Sequence, residues 1–165
     1  MVSNMDGKYQ SYLTDCAAEL GKIKQWIDSN KLHSNIQYLV SYAVIKSSGT
    51  IEYTMKQMLF DYLSAGCNTE ALQFFTKHII DASFNPSPGK IQKLLSSINP
   101  VWEAQFLDAI KGSQQKGDLK SLVDLRNNFA HGLPITASIE NIINYFNSGV
   151  WILEKLNGII FPPPD

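Results

Sequence analysis

Arginine is nearly missing from this sequence. Arg126 is the only guanidinium in 165 residues, and every other formal positive charge is a lysine. Cysteine is almost as scarce. Cys16 and Cys67 stand alone with no CxxC spacing, which excludes a disulfide framework and a zinc site. Both fall in helical patterns and are expected as buried apolar thiols. No apolar run approaches the roughly 18 residues of a membrane span. The opening MVSNMDGKYQ has no signal-peptide apolar region, so the expectation is a cytoplasmic protein without membrane contact. An excess of one charge is also lacking. The net charge of −1 leaves no global basic field, so nucleic-acid contact would have to come from local patches.

What is present is a helical pattern almost throughout. The length suggests one domain that buries about 70% of the surface of its unfolded chain. That domain is expected over residues 1–160, with FPPPD (161–165) as an extended, frayed proline-rich tail. Tyr9, Leu13, Cys16, Leu20, Ile23 and Ile27 alternate in steps of four and three, the stripe of a helix spanning 5–29. A second pattern covers 33–65. Ser47-Ser48-Gly49-Thr50 predicts a kink or break in it, and Gly66 a C-terminal cap. A third helix is expected over 69–82, then a turn at NPSPG (85–89) and a short helix at 90–97. Asn99-Pro100 opens another helix to about 111. GSQQKG (112–117) is expected as a mobile loop, with Asp118 capping the next helix and Gly132 and Pro134 ending it. A last helix spans 137–157, capped by Thr136. No alternating strand pattern occurs. The fold class is therefore all-α, a bundle of about five to seven helices in a single domain.

The stretch RNNFAHG, residues 126–132, carries the candidate chemistry. Asn127 and Asn128 are poor mid-helix residues because their amides compete for backbone hydrogen bonds. Two in succession near a helix end suggest that polar side chains are wanted there. His131 stands at that end. Arginine with histidine suits phosphoryl transfer on RNA. A histidine near neutral pH can take the 2′-OH proton or protonate the 5′-oxygen. A planar guanidinium can bind two non-bridging oxygens of the transition state, a geometry lysine matches poorly. No metal or cofactor is implied, since there is no HxH, carboxylate cluster or Cys/His set at ligand spacing. The bland alternative is equally concrete: Arg126 on a solvated face paired with Asp124 or Glu140, and His131 as a helix-terminal histidine.

Arg126-Asn127-Asn128-Phe129-Ala130-His131, followed by Gly132 and set in the final helical pair of a small all-α chain, resembles the HEPN superfamily. It looks most like the bacterial RiboL-PSP-type and MAE-type members. The resemblance implies a helical bundle that pairs as a symmetric homodimer, with two R-x4–6-H motifs in one composite cleft. It implies a metal-independent ribonuclease leaving a 2′,3′-cyclic phosphate and a 5′-hydroxyl. The roles implied are toxin of a toxin–antitoxin pair or anti-phage effector, with an antitoxin or regulatory protein as partner. Other members are non-catalytic dimerisation or adaptor modules, which is the rival reading here.

Carried over by position, His131 is the acid/base and Arg126 holds the phosphate. Asn127 orients one or the other. Glu52, in Ser48-x-x-x-Glu52, is the candidate acidic residue on the second long helix, with a solvated helix-face glutamate as its alternative. Lys116 and Lys120, with Asn128, are the candidate RNA contacts, and Lys111 lies close in sequence. Phe129, Phe146, Tyr145 and Trp151 are expected in packing, and His33 and His78 are expected to have no chemical role.

Overall fold

The computed structural model describes residues 5–163, and among them the chain forms seven α-helices and no strand. These are α1 (Gly7–Ser29), α2 (Ile36–Leu63), α3 (Thr69–Phe75), α4 (Pro88–Ile98), α5 (Pro100–Ala109), α6 (Gln114–Ala130) and α7 (Ile139–Ile160). Pro164 and Asp165, the end of the expected tail, lie outside the described residues.

The stripe of α1 is buried as its spacing predicts, from Tyr9 through Leu13, Cys16 and Leu20 to Ile23. It packs on α2, the central helix, which also touches α6 and α7. Ile51, Met55, Met58 and Leu59 of α2 are fully enclosed. Asn99 caps α5 through Val101 N–H at 2.9 Å, with Pro100 at its first position, as the Asn-Pro pair predicts.

Several boundaries differ from the sequence expectation. The helix α2 runs through Ser47-Ser48-Gly49-Thr50 without a break. Ser47 and Ser48 are buried there, so tertiary packing overrides their weak helix preference. The helix expected over 69–82 changes pitch to a π turn at Thr76–Ile80. GSQQKG is a loop only as far as Ser113, the N-cap residue of α6. Its Gln and Lys residues are good helix formers and carry Gly117 within the helix. Asp118 is thus no cap: it lies inside α6 and accepts a hydrogen bond from Ser148 Oγ of α7 at 2.7 Å. Ser138, not Thr136, caps α7, and it forms a reciprocal capping box with Asn141. Phe161, placed by sequence in the tail, packs at the edge of Tyr62 with ring centroids 5.8 Å apart. Cys16 is buried, whereas Cys67 is half-buried and donates to the Leu63 carbonyl at 3.1 Å.

One glycine decides how closely the long helices meet. A Cβ placed on Gly149 of α7 would stand 2.2 Å from Ile51 Cδ1 and 3.5 Å from Leu119 Cδ1. Helices α2, α6 and α7 therefore converge on a point where α7 must present bare backbone. Ile51 is fully enclosed and has no free space to turn into. Gly149→Ala is expected to destabilise the fold by about 1–3 kcal/mol through overpacking. Ile51→Val, which removes the clashing methyl, should recover part of that loss in the double variant. Urea unfolding of the two single variants and the double variant measures this, and strict additivity would contradict the assigned clash.

Candidate functional site at the end of helix α6

The RNNFAHG stretch forms the last turns of α6 and its exit. His131 is the C-cap residue, and Gly132 follows in the left-handed region with φ 74°. Gly132 N–H donates to the Phe129 carbonyl at 3.0 Å and Leu133 N–H to the Asn128 carbonyl at 2.9 Å. These two bonds define a Schellman ending, which needs a residue free of the Cβ penalty at the position of Gly132. The helix therefore stops abruptly at His131, whose side chain is exposed. Phe129, expected in packing, is instead exposed beside it, as is Leu133.

Arg126 is half-buried one and a half turns earlier. Both acids that the bland alternative would pair with it are engaged elsewhere. Asp124 is held by Lys120 at 2.8 Å. Glu140 is held by Lys24 of α1, also at 2.8 Å. That hydrogen bond, with the backbone N–H and Ser138 at the start of α7, lowers the Glu140 carboxyl to about 2. The guanidinium has no ion pair among the described residues.

Asn127, the neighbour of Arg126, is positioned from outside its own helix. Asn85 Nδ2 donates to Asn127 Oδ1 at 3.1 Å. Asn85 sits on the connection that follows the π turn, and Glu52 holds that connection. Its carboxylate accepts from Phe84 N–H at 3.2 Å and pairs with Lys56 at 2.7 Å. Lys56 in turn donates to the carbonyls of Ile80, at 3.3 Å, and Ala82. Both side chains are largely enclosed, 16% exposed for Glu52 and 11% for Lys56. Glu52 is thus neither a free acid nor a solvated face residue. It anchors the segment that reaches Asn127.

Lys116, Lys120 and Asn127 line one cavity of about 450 Å³ between α6 and the start of α4. Sequence reasoning did not single out Asn85, because NPSPG reads only as a turn, or Lys90, which reads as the start of a short helix. Asn128 is exposed on α6, and neither it nor Arg126 nor His131 lines this cavity. Outside the site, His33 accepts from Asn35 N–H at 3.1 Å, and His78 lies against Phe74 with ring centroids 4.3 Å apart.

Two of these contacts have measurable consequences. A carboxyl with a lower pKa folded than unfolded adds stability above the unfolded value, and that contribution is lost as pH falls toward the folded one. Wild type and Glu140→Gln should therefore differ in melting temperature above pH 4.5 and converge as the pH approaches about 2. Lys56→Met leaves an enclosed carboxylate unpaired and should cost about 3 kcal/mol in urea unfolding. It should also speed amide exchange at Phe84. Adding Glu52→Gln should return part of the loss, because the uncompensated charge is gone.

No curated protein and no solved structure matches the chain. No helix among the described residues is long and apolar enough to cross a membrane. Residues 11–161 match the family described as RiboL-PSP-HEPN, a span that runs from α1 to the end of α7 and contains the whole α6 corner. The chain belongs to this HEPN family.

Proposed function

We propose that the chain is a metal-independent endoribonuclease that acts as a homodimer. The observation that carries this reading is the state of Arg126. It is the only arginine, it is half-buried, and both nearby acids are neutralised by lysines. A guanidinium left without a carboxylate partner keeps its fork of donors available to an anion. His131, one turn beyond Asn127, presents its imidazole at the solvent-facing end of the same helix.

In the reaction, the ribose 2′-oxygen attacks the adjacent phosphorus and the P–O5′ bond breaks. His131 of one copy takes the 2′-OH proton. Its counterpart in the second copy gives a proton to the departing 5′-oxygen. The products are a 2′,3′-cyclic phosphate and a 5′-hydroxyl. Arg126 binds the non-bridging oxygens, where charge accumulates in the transition state. Asn127, fixed by Asn85, orients the phosphate or the imidazole, and Asn128 offers a further polar contact. Glu52 acts as a positioning residue through the 80–85 connection. Exposed Phe129 and Leu133 beside the motif favour a pairing that covers this corner. An activity of this kind needs restraint, which fits a toxin held by an antitoxin or an anti-phage effector held by a regulatory protein.

Purified protein incubated with total RNA in EDTA, beside His131→Ala and Arg126→Ala, tests the reading. Wild type should cut and leave cyclic phosphate ends. Each variant should lose at least about 100-fold in rate. Arg126→Ala should also keep its melting temperature, because no ion pair is removed. Equal cutting by all three would remove the site from this motif. Inactivity of all three would favour the non-catalytic adaptor.

A further inference from the structure

The cavity between α4 and α6 presents several hydrogen-bond donors without a protein partner, beside one unpartnered acceptor, the buried Asn85 Oδ1. Lys90 of α4 and Lys116 of α6 form no ion pair among the described residues. The cavity's single carboxylate, Asp124, is taken by Lys120 at 2.8 Å. Asn127 has its acceptor oxygen occupied by Asn85, which leaves its amide hydrogens unused. The first turn of α4 also faces this space. Its N-cap Ser87 makes no side-chain capping bond and its first residue is Pro88, so the positive end of the helix is open. Two ammonium groups without an ion pair, an amide N–H pair and a helix N-terminus on one concave surface together suit an anion.

We infer that this cavity is a subsite for a phosphodiester of the RNA strand flanking the scissile link. The inference rests on the ribonuclease reading above and extends it to how the substrate is held. On α6, Lys116, Lys120, Asn127 and His131 fall along one stripe, since each lies four or seven residues from the next. The Asn127 end of the cavity is about 6 Å of axial rise from His131, and the Lys116 end about 22 Å. A strand lying along that stripe would place one phosphate at the catalytic corner and another among the lysines. Arg126 projects roughly a quarter turn from Asn127 and is left for the reacting phosphate. The basic surface is local, which reconciles RNA binding with a net charge of −1.

The test separates binding from cleavage. In a His131→Ala background, a labelled single-stranded RNA oligonucleotide is titrated by fluorescence anisotropy between about 50 and 200 mM KCl. Adding Lys90→Gln and Lys116→Gln should weaken binding and make the log–log salt slope shallower by about 0.7, the value for one phosphate no longer neutralised. Lys22→Gln with Lys31→Gln, at the α1–α2 end, should leave the slope unchanged. An unchanged slope in the cavity variant, with RNA still bound by the parent, would overturn the subsite and leave the ribonuclease reading intact. Failure of the parent to bind RNA would overturn both. Inorganic phosphate that fills the cavity without competing with RNA would overturn the assignment in favour of a free-anion site.

Discussion

The α6 corner depends on the junction where Ile51, Leu119 and Gly149 meet. There α2, α6 and α7 approach one another with only the backbone of α7 between two enclosed side chains. Because the interior is close-packed, this contact sets the rotation and height of α6 against its neighbours. Asp118 and Ser148, adjacent in sequence to Leu119 and Gly149, lock the same register with a short hydrogen bond. Two turns further along α6 that register decides which residues face solvent and which face α4.

Charge is distributed unevenly around this frame. Some surface lysines are committed to surface acids: Lys24 to Asp28 and Glu140, Lys46 to Glu19, Lys120 to Asp124. Such pairs contribute little to stability individually. Their effect at the α6 corner is to neutralise the acids that would otherwise compete for Arg126. A second polar system works from the opposite side. The Glu52–Lys56 pair fastens the end of the π turn to α2, and the next residues carry Asn85 to Asn127. The motif is thus shaped by its own helix ending and by a connection some forty residues earlier.

Much of this was legible in the sequence because it follows from local rules. The stripe of α1, the Asn-Pro start of α5 and the stop at Gly132 each reflect a period or a cap that a few adjacent residues define. RNNFAHG stood out because asparagines are misplaced in a helix and because arginine occurs nowhere else. The rest was hidden wherever distant residues decide. The serines of α2 looked like a break because burial against other helices cannot be read from neighbours. Asp118 looked like a cap because its partner, Ser148, is thirty residues away. The surroundings of Glu52 were equally hidden, since Phe84, whose N–H its carboxylate accepts, lies thirty-two residues away. Asn85 and Lys90 carried no signal at all: one resembles an ordinary turn residue and the other an ordinary solvated lysine at a helix start.

The solitary arginine also makes the chain chemically addressable. Reagents that condense with guanidinium groups, such as aromatic dicarbonyls, ordinarily modify many sites and reveal little. In this protein they have one arginine to modify, and no carboxylate among the described residues shields it. A single mass increment therefore reports the occupancy of one position, Arg126, without any substitution in the sequence. Protection of that increment by a ligand or a partner subunit becomes a direct footprint of the α6 corner.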